Sequence, residues 1–206
     1  MIAKFFAKYQ SIGLITLSLL VGAIITFIAL PVLTRLYSVA DFGAYGIALA
    51  IVSILSTVAN LRLDQALLVA DEQDKKSLIF EGAAFSTAIA VISGIVISAI
   101  LNVEMAGAVA TGVLANTLIQ SLYNYQFSAH KEYFCAGLNI FRSAIVVAVQ
   151  LSLPFVMQIS LVNSYNISSI IMIVAVLLYL LKHQLYQVSW QAFKHYKDFI
   201  YSNTPH

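Results

Sequence analysis

Long apolar stretches, broken by short polar or charged segments, run through the chain at 11–33, 42–61, 78–101, 105–127, 133–157 and 166–181. A helix of about 20 residues, rising about 1.5 Å per residue, covers a hydrocarbon core of about 30 Å. The pattern therefore predicts an all-α membrane protein whose six transmembrane helices form one bundle over 1–183. Lys4 and Lys8 precede the first stretch, which is longer than the apolar region of a secretory leader and is followed by further spans. It reads as a retained helix. Over 184–206 the residues Tyr186, Trp190, Phe193, Tyr196 and Ile200 recur at helical spacing among Lys and His. That spacing fits an amphipathic tail along the cytoplasmic interface, or a sixth helix running on as a linker.

Composition agrees with the pattern. Hydrophobic residues make up 61% of the chain and charged ones 10%, against about 25% charged in an average soluble domain. One cysteine, Cys135, allows no intramolecular disulfide and no thiol pair for zinc. A net charge of +2, scattered along the chain, does not suggest nucleic acid as a partner. No Walker loop, zinc-ligand spacing or Gly-x-Ser-x-Gly elbow is present, so neither an enzyme nor a cofactor or metal is expected.

The charges are nonetheless unevenly placed. Lys4, Lys8, Arg62, Lys75, Lys76, Lys131, Lys182, Lys194 and Lys197, nine of the eleven Lys and Arg, fall on one side of the predicted spans. Arg35 lies near the opposite ends, and Arg142 falls within the fifth helix. The positive-inside rule then puts both termini in the cytoplasm. All nine acidic residues are expected at helix ends or in loops, with Lys75 and Lys76 in the loop before the third helix. No carboxylate is expected deep in the membrane.

Arg142 is the leading candidate for contacting an anionic group, because a charge inside a span is costly and usually faces a cavity or a partner. Snorkelling toward the headgroups is the competing reading. Asn139, Arg142 or Ser143, and Gln150 share one side of the fifth helix, while Asn116, Gln120, Asn124 and Ser128 recur every fourth residue on the fourth. Amides at these positions suit sugar hydroxyls, and two such stripes would line one wet cavity. They equally suit hydrogen bonds between packed membrane helices. Ser86, Gly94 and Ser98 on the third helix read as close-packing positions.

The segment Thr34-Arg35-Leu36-Tyr37-Ser38-Val39-Ala40-Asp41-Phe42-Gly43, and later Asn60-Leu61-Arg62-Leu63-Asp64-Gln65-Ala66, resemble the two helix ends of bacterial polysaccharide biosynthesis flippases. Tyr196-Lys197-Asp198-Phe199-Ile200-Tyr201 resembles that family's approach to its seventh helix. Val39, Ala70 and Ile200 stand where relatives often have proline. The resemblance implies the fold of the multidrug and polysaccharide exporter superfamily, in the bacterial inner membrane. It also implies translocation of an undecaprenyl-pyrophosphate-linked oligosaccharide, an O-antigen or capsule unit. Such proteins have twelve to fourteen helices in two bundles, so this chain corresponds to the N-terminal half, working with a separate C-terminal half or a second copy. It is expected to be a truncated, split or degraded form of the longer protein. Two other readings stay open: a noncatalytic membrane subunit or inactive remnant, and half of a multidrug antiporter, which would be expected to carry acidic residues within its helices. A membrane-embedded glycosyltransferase is disfavoured by the short noncytoplasmic connections.

The charge asymmetry generates a topological prediction. Reporter fusions near Asp74, Lys131 and Lys194 will report cytoplasm, and fusions near Val39, Val103 and Ser160 the opposite side. A cytoplasmic signal at Ser160 would refute the six-span arrangement.

Overall fold

A computed structural model describes residues 2–157 and 159–186, with side chains from Ile12 onward. Seven helices follow one another: α1 (Ile2–Leu36), α2 (Val39–Ala59), α3 (Leu63–Ala66), α4 (Glu72–Ile100), α5 (Val103–Ser128), α6 (Glu132–Val156) and α7 (Leu161–Lys182). All but α3 contain a segment long and apolar enough to cross a membrane, and no strand occurs among the described residues. This is the architecture of a multi-pass membrane protein. The predicted tail residues Trp190, Phe193, Tyr196 and Ile200, with Lys194 and Lys197, lie outside the described residues.

Helix starts are set by polar caps that hydropathy does not register. At the start of α2 the Ser38 hydroxyl accepts from Asp41 N at 3.2 Å and the Asp41 carboxylate accepts from Ser38 N at 3.0 Å. This reciprocal capping box satisfies two amide donors that the helix itself leaves open. Asn102 caps α5 through Met105 N at 2.8 Å. Ser160 caps α7 through Asn163 N at 3.2 Å, so α7 begins earlier than its apolar stretch suggested.

The largest correction concerns α4. It begins at Glu72, which places Lys75 and Lys76 in its first turns and Glu81 well inside it. Glu72, Gln73 and Lys75 are good helix formers, the acidic groups favour the helix N-terminus, and Lys75 Nζ lies 2.6 Å from Glu72 Oε1. Charged residues hide this turn from a hydropathy window. Glu81 is therefore not at a helix end; it is 0% exposed and accepts a hydrogen bond from the Ser77 hydroxyl at 3.2 Å.

The central element is α5, mostly buried, whereas α1 and α2 are mostly exposed. It packs on α2, α4 and α7, while α1 packs on α6 and α6 on α7. Lipid tails are as apolar as leucine, so association depends on close packing and interhelical hydrogen bonds. Ala106, Ala108, Gly112 and Ala115 supply the small contacts along α5. Thr111 Oγ1 donates to Asn166 Oδ1 of α7 at 2.9 Å, and Asn60 Nδ2 to Ser121 Oγ at 2.9 Å. Leucine, isoleucine and phenylalanine side chains such as Leu20, Phe27, Ile28 and Ile54 cover the outward faces of α1 and α2.

Gly112 is the tightest test of this packing. A Cβ there would meet Tyr165 Oη of α7 at 2.8 Å and Val52 Cγ2 of α2 at 2.9 Å. Gly112→Val will lower stability in detergent by about 1–3 kcal/mol, the usual cost of overpacking. Gly43→Ala, where a Cβ meets nothing within 4 Å, will be close to neutral. Thermal unfolding of the purified variants checks the contrast, and equal melting temperatures would refute it.

Candidate polar site between α2, α5 and α6

The end of α2 carries Ser53, Ser56, Thr57 and Asn60 on one helical face, since residues three and four apart are neighbours on a helix. The chain then turns through Leu61 and Arg62, both with positive φ (47° and 57°), into α3. Such conformations cost a side-chain-bearing residue of order 1–3 kcal/mol unless the surroundings hold them. Here Leu63 and Ala66, both 0% exposed, anchor the following turn in the core. The second segment that resembles the flippases thus forms a corner, with Arg62, Asp64 and Gln65 lining a cavity next to the α2 stripe.

That cavity has a volume of about 390 Å³ and is also lined by Asn116, Thr117 and Gln120 of α5 and Arg142 of α6. The Arg142 guanidinium donates to Asn116 Oδ1, and Asn116 Nδ2 donates to Ser56 Oγ at 3.4 Å. One polar chain therefore crosses from α6 through α5 to α2. Below it, Gln120 Nε2 donates to Asn124 Oδ1 at 3.3 Å, and Asn124 Nδ2 donates to the Asp64 carbonyl at 2.9 Å and its carboxylate at 3.3 Å. A second chamber of about 210 Å³ shares Ser53, Asn116 and Arg142 with the first and adds Tyr45, Tyr165, Ser168 and Ser169. Tyr45 and Tyr165 meet edge to face at 5.6 Å between ring centres. Arg142 stands at the junction of the two spaces.

The expected site residues divide accordingly. Arg142, Asn116 and Gln120 line the same cavity, and Asn124 supports its Asp64 wall. Asn139 instead donates to Ser18 Oγ of α1 at 3.1 Å, and Ser143 sits against Gly22, so that part of the α6 stripe holds α1. Gln150 is buried near the far end of α6, where its carbonyl accepts from Tyr37 Oη at 2.8 Å. Tyr37 Oη also lies 2.9 Å from Ser164 Oγ. The Arg-Leu-Tyr-Ser segment is thus built into a helix corner. The α2 stripe was overlooked in the sequence, although Ser53, Ser56, Thr57 and Asn60 have the spacing that would have revealed it.

Chemically, the lining offers two guanidinium groups, one carboxyl group and several amides and hydroxyls, a set suited to binding. Among the described residues no group of three His, Cys, Asp or Glu is placed to hold a metal ion. Burial raises the Asp64 carboxyl above its ordinary value of 3.8, opposed by the Gln65 backbone N–H and by Arg62. A carboxyl group that binds its proton more tightly in the folded state stabilises that state at low pH. The contribution is lost as pH rises from 3.8 through the raised value. Asp64→Asn will therefore flatten this part of the stability profile relative to the parent chain, measured by thermal unfolding across that window. Parallel profiles for the two proteins would refute the assignment.

No protein-family model, no curated protein and no solved structure matches the chain.

Proposed function

We propose that the chain is one bundle of a flippase that moves a pyrophosphate-linked oligosaccharide lipid across the bacterial inner membrane, with the Lys-rich end of the bundle in the cytoplasm. The observation that carries this reading is Arg142. It sits well within α6, and among the described residues no carboxylate lies within ion-pair distance of it. Its guanidinium bonds a neutral amide and borders both chambers. Placing Arg in the middle of a span costs about 2.5–3.5 kcal/mol on insertion scales, and a phosphate offers it paired acceptors. The amide and hydroxyl lining supplies partners for a glycan.

A cation-coupled antiporter would need a carboxylate facing the translocation path. Glu81, although deep in α4, lines neither chamber and is wholly buried. Asp64 does face the cavity, but in the company of Arg62 and Arg142. That excess of positive charge favours an anionic cargo. In this reading a second bundle supplies the opposing wall, and rocking of one bundle against the other alternates access, as in other repeat-built transporters.

The test uses cells lacking their own flippase, with this chain expressed beside a matching second bundle. Arg142→Ala will reduce glycan export by about tenfold or more, since hydrogen bonds to charged groups contribute about 1.5–3 kcal/mol. Membrane levels will stay near those of the parent. Arg142→Lys will keep part of the activity, because an ammonium acts as a point charge without the paired donors. Export by the alanine variant at the parent rate would overturn the proposal.

A further inference from the structure

Arg142 belongs to α6, but the contacts that hold its guanidinium come from other helices. It donates through Nη2 to Asn116 Oδ1 of α5, Asn116 Nδ2 donates to Ser56 Oγ of α2 at 3.4 Å, and Ser56 Oγ donates to the Val52 carbonyl one turn back. A guanidinium offers only donors, so the direction of every bond in this relay is fixed from its Arg142 end. Asn116 must turn its oxygen to Arg142 and its nitrogen to Ser56. The bond brings no negative charge to the guanidinium.

The carboxyl group that shares the larger cavity is fastened elsewhere. Asn124, further along α5, donates to the Asp64 carboxylate at 3.3 Å and to its carbonyl at 2.9 Å, and Gln120 donates to Asn124 Oδ1 at 3.3 Å. Positions 116 and 124 stand about 12 Å apart along a helix axis. Each of these two opposite charges therefore has its own amide on α5.

We infer that Asn116 is a positioning residue: a neutral acceptor that aims the Arg142 guanidinium at the junction of the two chambers without neutralising it, leaving the charge for an anionic ligand. This rests on the anion reading of Arg142 and names the residue on which that reading depends. A carboxylate at 116 would hold the guanidinium at least as firmly, through charge-assisted bonds, but would cancel its charge. An apolar side chain there would release it to turn toward the headgroups. Orientation and available charge are thus separable by substitution at one position.

The test reads the full chain, reconstituted in phosphatidylcholine nanodiscs, by binding of inorganic pyrophosphate and by hydrogen exchange at the guanidinium groups of protein labelled with 15N-arginine. Arginine occurs only as Arg35, Arg62 and Arg142, so Arg142→Ala assigns the relevant signal. Asn116→Leu will lose the exchange protection of Arg142 and bind pyrophosphate about tenfold more weakly, the scale of a lost hydrogen bond to a charged group. Asn116→Asp will keep that protection and still bind pyrophosphate about tenfold more weakly or worse, because the new carboxylate competes with the probe. This opposite response of the two readouts is one that a merely structural role would not produce. Asn116→Asp exchanges an amide nitrogen for an oxygen at nearly constant shape, so the test survives if Asn116→Leu fails to fold. Protection unchanged in Asn116→Leu, parent affinity in Asn116→Asp, or joint loss of protection and binding in Asn116→Asp would each overturn the positioning role. Failure of the parent chain to bind pyrophosphate, with protection lost in Asn116→Leu, would overturn the anion reading and leave Asn116 as the holder of Arg142.

Discussion

In a bilayer, helices gain little by hiding apolar surface from one another, so what holds this bundle is how closely they can approach. The small residues of α5 set that approach. Gly112 lets Val52 of α2 and Tyr165 of α7 converge on one turn, and a Cβ on Gly94 of α4 would lie 3.3 Å from Ala110 Cβ. With α5 gripped on these sides, Asn116 is held between α2 and α6. The polar chain from Arg142 to Ser56 exists because of that placement.

Polar residues in this bundle do two different jobs, and their positions on the helix separate them. Asn139, Thr111 and Gln126 each complete a bond to a neighbouring helix. Individually such bonds contribute about 0.6 kcal/mol, enough to fix rotation and register. Ser53 and Gln120 border open space without such a bond, while Asn116 and Arg142 do both. Asn60 belongs to both groups, bonding Ser121 while its carbonyl oxygen lies buried against Gly82 with no hydrogen-bond partner. A Cβ at position 82 would meet that oxygen, so a larger residue there would require the Asn60 side chain to turn away.

The six spans were legible in the sequence because length and hydropathy are properties of a segment by itself. Helix starts were less so. Ser38, Asn102 and Ser160 move them by polar contacts of single residues, and the charged first turns of α4 look like loop to a hydropathy window. Arg142 and Asn116 stood out as polar residues within apolar helices, yet their pairing depends on how α5 and α6 are rotated. The fifth-helix stripe proved to be two unrelated sets, because a helix wedged between α1 and the cavity shows polar residues to both. Asp64 and Arg62 were hidden for another reason. They reach the cavity through a left-handed corner that no periodicity encodes.

That corner also sets the two ends of α2 apart. At the far end α1 joins α2 through Tyr37 and Ser38 alone, and α4 joins α5 through Leu101 and Asn102 alone. At the Lys-rich end α2 reaches α4 only by way of α3 and the turns around it. Since α1 rests on α6 while α2 rests on α5, the short α1–α2 link holds those two pairs together at the far end. Toward the Lys-rich end they are joined instead through side chains: Arg142 of α6, Asn116 of α5 and Ser56 of α2 in one chain, and Asn124 and Ser121 of α5 fastening the corner through Asp64 and Asn60. The wall of the polar cavity is therefore secured by bonds between side chains, where the far end is secured by the covalent chain itself.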